Sequence, residues 1–338
     1  MKKIFLLAAA TLALAACDQT NENPDTTPVA VRISATIGES AVTRASGTSW
    51  AKGDTIGISS FVGEALTPFV NLKYTTKEGN GAFTGTPLFF YKPMTLTAYY
   101  PFTGEEGKVP GTNGDGIIKA DTKIDKQSAE NQPQIDFLWD SRKDKDDFSV
   151  SKDTVNFVFS HKMSKLTFTF LKSEATTNNQ GVVIAKGVDV GDMISYRIAG
   201  LGLVGTFNTA TGVCAIDENA EARDTLTVSF PKKTIEHEVA QPSLIVFPQT
   251  QPDGGNFTLH ITTSETDDDG KTLPDQHYKC VLPFGDNAIK PGCHYKFTIQ
   301  VTKVGLIVGD ITITEWESAR EWSGTATIDG DIFGTENE

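Results

Sequence analysis

From Val29 onward the apolar positions recur every second residue, the period of a strand with one face buried. Val29, Val31, Ile33, Ala35 and Ile37 alternate with Ala30, Arg32, Ser34 and Thr36. Leu166, Phe168 and Phe170 alternate with Thr167 and Thr169, and the pattern returns at Leu226/Val228/Phe230, Phe257/Leu259/Ile261, Tyr295/Phe297/Ile299/Val301 and Ile311/Ile313. Turn signals stand between the runs: Asn80-Gly81, Asn113-Gly114-Asp115-Gly116, Thr211-Gly212 and Asp269-Gly270. No window of a dozen residues carries a helical apolar stripe capped at both ends. The chain reads as all-β and mostly antiparallel. Closely spaced strands with one half-polar face predict β-sandwiches rather than an α/β sheet.

Residues 103–134 are rich in Gly and Asp and poor in apolar side chains, residues 140–153 form a mixed charge run, and a fresh apolar series starts at Val155. This predicts an N-terminal β-sandwich over 29–152 and a C-terminal one over 153–338, with 103–134 as a long surface loop of the first. A length of 338 residues suits two domains. The 38% hydrophobic content, with 20 Phe, can fill two cores, which excludes wholesale disorder.

Residues 1–16 read differently. Lys2 and Lys3 precede an uncharged apolar stretch from Ile4 to Ala16, shorter than the roughly 20 residues that span a bilayer and of the length expected for a secretory signal. Its end, Leu14-Ala15-Ala16-Cys17, resembles the lipobox of bacterial lipoproteins. The resemblance implies cleavage before Cys17 and acylation of its thiol, so that lipid chains provide the anchor. Residues 17–28 form a polar, acidic, proline-bearing tether. Removing residues 1–16 leaves 28 Lys and Arg against 43 Asp and Glu, so the net charge moves from −13 to −15. So acidic a surface repels phosphate backbones, and no nucleic-acid partner is expected.

A set of strings now becomes specific. TRASGTSWAKGDTIGI (Thr43 to Ile58), LTAYYPF (Leu96 to Phe102), FSHKMSKLTFTF (Phe159 to Phe170), LIVFPQT (Leu244 to Thr250), PGCHYKFTIQVTKVGLIV (Pro291 to Val308) and ITITEW (Ile311 to Trp316) together resemble the fimbrillin family, in its order. The resemblance implies two tandem transthyretin-like antiparallel β-sandwich domains. It also implies a structural subunit (stalk, tip or anchor) of a surface fimbria, exported as a lipoprotein to the cell outer membrane. Its partners would be other fimbrial subunits, the outer membrane through the lipid anchor, and a receptor on host or bacterial surfaces. In stalk members a protease cuts after an Arg behind the first strand, and the vacated groove takes a strand from a neighbour. The matching residues here are Arg44 and Ala45, and the displaced strand would carry Val29, Val31, Ile33, Ala35 and Ile37. The same stretch can also be read as a permanent first strand.

Catalysis has little to stand on. The five His are scattered, and neither HExxH nor Gly-x-Ser-x-Gly occurs. No enzymatic activity, cofactor or metal is expected, although His260, His277 and His294 lie in or beside predicted strands that could be neighbours. Asp267-Asp268-Asp269-Gly270 is contiguous rather than alternating, which reads as an acidic hairpin tip and not a calcium loop. Cys280 and Cys293 flank a loop containing Pro283-Phe284-Gly285 and could face each other across a hairpin, as a bridge or as buried thiols. Trp50, Trp139, Tyr99 and Tyr100 would form a sugar platform if they converged on one exposed face. A surface-exposed glycan-binding lipoprotein is therefore the alternative function.

Overall fold

The computed structural model describes residues 30–38, 49–62, 65–66, 69–90, 94–142, 154–172, 176–177, 183–185, 191–217, 224–234, 238–253, 255–267, 269–302, 305–316, 321–324 and 334–335. Strand makes up 56% of the chain and helix 4%, so the all-β expectation holds. The N-terminal half runs β1 (Arg32–Ile37), β2 (Thr55–Val62), β3 (Ala65–Leu66), β4 (Leu72–Thr75), β5 (Ala82–Gly85), β6 (Thr95–Tyr100), β7 (Ile117–Asp121), β8 (Leu138–Arg142) and β9 (Thr154–His161). Then come β10 (Ser164–Lys172), β11 (Thr176–Thr177), β12 (Val183–Ala185), β13 (Asp192–Leu201), β14 (Val204–Asn208), β15 (Cys214–Ile216), β16 (Asp224–Thr234), β17 (Glu238–Ala240) and β18 (Leu244–Val246). The last group is β19 (Gln249–Thr250), β20 (Thr258–Ser264), β21 (Gln276–Val281), β22 (Ala288–Ile289), β23 (Cys293–Thr302), β24 (Gly305–Glu315), β25 (Glu321–Gly324) and β26 (Gly334–Thr335).

Alternation along each strand sends one row of side chains inward. In β9 the residues Val155, Phe157, Phe159 and His161 are buried, with less buried positions between them. The pairings β2–β4, β4–β5, β5–β1, β1–β9, β9–β8, β8–β6 and β6–β2 close the N-terminal ladder on itself. The inward rows of this ring and Trp50 build one core. In the C-terminal half, the sheet β17-β10-β23-β24-β25 and the sheet β16-β13-β20-β21-β26 share a second core. Phe168 stacks on Phe297 there at 5.2 Å, and Phe284 packs edge-on against Tyr295 at 5.0 Å.

Two pairings depart from the antiparallel expectation. β1 runs parallel to β9, and β10 runs parallel to β23. In each half the leading core strand thus lies beside a late strand of the same half, a long-range choice that local turn signals cannot encode. The division expected at residue 153 also shifts. β9 pairs with β1 and β8, so it belongs to the ring, and the chain crosses to the second core at Lys162 and Met163. The row Val155/Phe157/Phe159 would fill either core; the parallel partner decides which.

Residues 103–134 are more than a surface loop. They contain β7, which pairs with β14 of the other half, and β14 in turn pairs with β15. A third core lies at this junction, built from Tyr99, Ile118, Ile135, Phe137, Met163, Phe207, Ile245, Phe247 and Trp316. Gln127 ties it across 118 residues of sequence: its side-chain amide donates to the carbonyls of Thr122 (2.7 Å) and Ile245 (2.8 Å), and its Oε1 accepts the Ile245 N–H (2.9 Å). Low apolar content concealed this role because polar side chains and backbone do the joining.

Two predictions follow from this packing. Gln127→Leu strands a buried N–H and two carbonyls, so urea titration should show a loss of about 1–3 kcal/mol, whereas Leu at the exposed Gln134 should change little. His294, half-buried on β23 with its Nε2 2.8 Å from Thr167 Oγ1, has its pKa pushed from the ordinary 6.5 to about 4 by burial and then by Lys165 and Lys296. The folded chain therefore binds this proton less tightly than the unfolded one. Stability should be flat above pH 6.5, fall by about 1–2 kcal/mol as the pH drops towards 4, and level off below. Thermal melts across that window, with His294→Gln flattening the slope, measure it.

Candidate functional site

The feature that most resembles a working part is β1 and the groove it fills. Its six residues pair in parallel with Thr154–Phe159 of β9, from Arg32↔Thr154 to Ile37↔Phe159. On the other flank Ile33↔Phe83 and Ser34↔Ala82 join it to β5, and the Val31 N–H donates to the Leu88 carbonyl at 2.9 Å. The Ala35 N–H donates to the Gly81 carbonyl at 2.8 Å, and the Gly38 N–H to the Phe159 carbonyl at 2.9 Å. Val31, Ile33, Ala35 and Ile37 are buried against the ring core, while Arg32 and Thr36 face outward. The Ser34 hydroxyl donates to the Asn156 side chain. Burial of Val31, Ile33 and Ile37 contributes roughly 1.5–3 kcal/mol each.

Gly38, at φ 72°, turns the chain out of the strand. The described chain resumes at Ser49, and Trp50 returns to the core. Its indole N–H donates to the Ala35 carbonyl at 2.9 Å, and its ring meets Phe83, Tyr100 and Phe159 edge-on at 5.1, 5.5 and 5.3 Å. Gly81 is required beside it, because a Cβ there would lie 2.5 Å from the Ala35 carbonyl oxygen. Of the residues singled out in the sequence, Val31, Ile33, Ala35 and Ile37 thus share one buried face. Cys17, Val29, Arg44 and Ala45 lie outside the described residues.

The other candidates do not assemble. His260 and His277 lie on β20 and β21 but out of register, and His294 is on the opposing sheet. Among the described residues no group of three or more His, Cys, Asp or Glu is placed to hold a metal. Asp267 Oδ1 accepts the N–H groups of Asp269 (3.1 Å) and Lys271 (2.8 Å), which is the chemistry of a hairpin tip. Cys214, Cys280 and Cys293 are free thiols, and Cys280 on β21 and Cys293 on β23 belong to different sheets rather than one hairpin. Burial pushes the Cys280 thiol up to about 12, far from a reactive thiolate.

Nor do the four aromatics share an exposed face. Trp50 and Tyr100 belong to the ring core and Tyr99 to the junction, where its hydroxyl donates to Asn71 Oδ1 at 2.7 Å. Trp139 donates to the Thr209 carbonyl at 3.0 Å and is covered by Gly212, whose φ is 71° and where a Cβ would fall 2.5 Å from the indole. What the sequence reading missed is a cleft of about 440 Å³ at the ring–junction border, reached by Ile37, Trp50, Tyr100, Asp136, Lys165 and Trp316. At its wall His161 stacks on Trp316 at 4.0 Å and meets Asp136 at 2.7 Å. The SHK and TEW strings held two of these residues, but nothing local links them to Asp136.

Comparison with known proteins agrees with this architecture. The fimbrillin-like family profile matches residues 43–316. A Bacteroides uniformis protein described as a candidate fimbrium subunit, Fim1C, is 28% identical over 331 residues, covering 94% of this chain and 96% of that one. The crystal structure of a candidate cell adhesion protein from Bacteroides ovatus ATCC 8483 superposes with a TM-score of 0.62 at 24% identity, over 86% of this chain and 99% of its own. A second, from Bacteroides uniformis ATCC 8492, gives 0.60 at 23%, over 85% and 99%. At those identities the two structures speak to the fold alone. The family match, in contrast, runs from before Trp50 to Trp316 and takes in nearly every strand of the three cores, so the chain belongs to the fimbrillin-like family.

Proposed function

We propose that the protein is a structural subunit of a surface fimbria, exported as a lipoprotein and assembled by β-strand exchange, with no catalytic role. The single observation that carries this reading is β1: a continuous buried apolar stripe, paired on both flanks, that leaves the ring through Gly38 just ahead of the segment containing Arg44. Cutting after Arg44 frees the whole strand. The β5 and β9 edges then present unpaired backbone groups beside a hydrophobic trough, and a donor strand satisfies both by β-augmentation. The C-terminal segment beyond β25 is the candidate donor in this chain. The two halves are read as tandem transthyretin-like sandwiches, the first with its faces joined by the β2–β6 ladder. Cys17 supplies the outer-membrane anchor, and adhesion to host or bacterial surfaces would follow from display on the fibre. The description of Fim1C as a candidate fimbrium subunit supports the assignment.

The N-terminal residue of the protein in shed fibres tests the processing directly: Ala45 supports a trimmed subunit, and acylated Cys17 an anchor or precursor. Arg44→Ala should block trimming and abolish laddering on non-boiled gels while leaving the melting temperature unchanged, because the retained strand keeps the ring closed. Normal ladders from that variant would overturn exchange at this site. Cys17→Ser should lose all labelling by a palmitate analogue; a labelled mutant would refute the lipobox.

A further inference from the structure

We infer that Trp50 is a size gate in the β1 groove, admitting a strand only if it carries a small residue where Ala35 now sits. This rests on the strand-exchange reading and adds to it a register and a discriminating residue. Trp50 follows Arg44 in sequence, so it stays with the ring when β1 leaves. Its indole is held edge-on among Phe83, Tyr100 and Phe159 and by its hydrogen bond to the Ala35 carbonyl. Its N–H is aimed at the backbone carbonyl of position 35, and its Cδ1 would lie 3.7 Å from a Cβ at Gly81, which borders that same carbonyl. Ala35 is 3% exposed, so a larger side chain there would have to displace the indole or the strand. The neighbouring inward position differs. Ile37 borders the cleft of about 440 Å³, which Ala35 does not reach. The groove therefore asks for apolar residues at the positions of Val31 and Ile33, a small one at Ala35, and tolerates enlargement at Ile37.

One segment of the chain meets that demand. Ala326, Ile328, Gly330 and Ile332 repeat the spacing of Val31, Ile33, Ala35 and Ile37, with glycine at the gated position. With the same four residues aligned, the parallel reading, the direction β1 takes beside β9, places Gly330 on the gate, and the reversed one places Ile328 there. The modest apolarity of the donor is then a consequence of the gate.

The test has two arms. In the first, the intact chain is melted as Ala35→Leu, Ile37→Phe and Trp50→Ala/Ala35→Leu. The gate requires a large fall for Ala35→Leu, a small one for Ile37→Phe, and recovery in the double variant relative to Trp50→Ala alone. In the second, the chain cut by an arginine-specific protease is offered synthetic peptides of residues 325–333. The wild-type and Ile332→Phe peptides should displace β1, and the Gly330→Leu peptide should bind at least about tenfold more weakly, the cost of overpacking one site. On Trp50→Ala protein that penalty should vanish. If the Gly330→Leu peptide binds as well as the wild-type one, the gate is wrong and strand exchange stands. If no peptide displaces β1, strand exchange by this segment fails and takes the donor assignment with it, while the melts still report on crowding at Ala35. Should Ala35→Leu not fold, the peptide arm alone decides.

Discussion

A ladder of backbone hydrogen bonds that closes on itself has no edge, and in the N-terminal half that closure passes through the six residues Arg32–Ile37. The ring core depends on this strand from both sides. β5 and β9 find their partner in it, and its inward row seals the space that Phe83, Phe157 and Phe159 enclose. A strand so placed is far more consequential than one at the rim of an open sheet. Removing it exposes two edges and a trough at once, a state that hydrophobic burial and unpaired peptide groups both drive towards recapture of a strand. The strand that completes the monomer therefore has the physical properties required of one that links monomers.

The remainder of the molecule fastens the ring to the second half of the chain. The crossing from ring to sandwich takes the two residues Lys162 and Met163, and Met163 is itself a member of the junction core. The Met163 carbonyl accepts the Gly292 N–H at 2.9 Å, and the Gly292 carbonyl accepts the Trp316 N–H at 2.7 Å, so the strand ends of the second half are fastened to the crossing. With β7 inserted beside β14 and Gln127 bonded to Ile245, the joint is made of paired backbone and buried side chains. Such a joint resists bending.

The cleft at the ring's end shows how narrow the margin between packing and binding can be. Its polar wall is already committed: Asp136 to His161, His161 to Trp316, Tyr100 to Asp54. Its physical effect is on the β1 groove, where it leaves room at one inward position and none at the next.

How much of this was legible in the chain follows from the range of the forces involved. Period-two alternation is local, so it identified β1, β10, β20, β23 and their buried faces, and with them the all-β class. The ordered strings from Thr43 to Trp316 identified the family for a similar reason, since each is a short run of neighbours. Pairing is not local. Val155, Phe157 and Phe159 look the same whether they lie against β1 or open a second domain, and the parallel hydrogen bonds to Arg32–Ile37 made the choice. Residues 103–134 carried too little hydrophobicity to announce a structural part, because their work is done by β7's backbone and the amide of Gln127 on partners 80 to 120 residues away. Trp50 was visible as an aromatic residue, but its place against the Ala35 carbonyl, between three other rings, exists only once the ladder has closed. The sequence by itself thus determined which residues face inward and the family they belong to. The tertiary structure decided which strands lie side by side, because hydrogen-bond partners distant in the chain are selected by the shape of the whole core and not by any stretch of it.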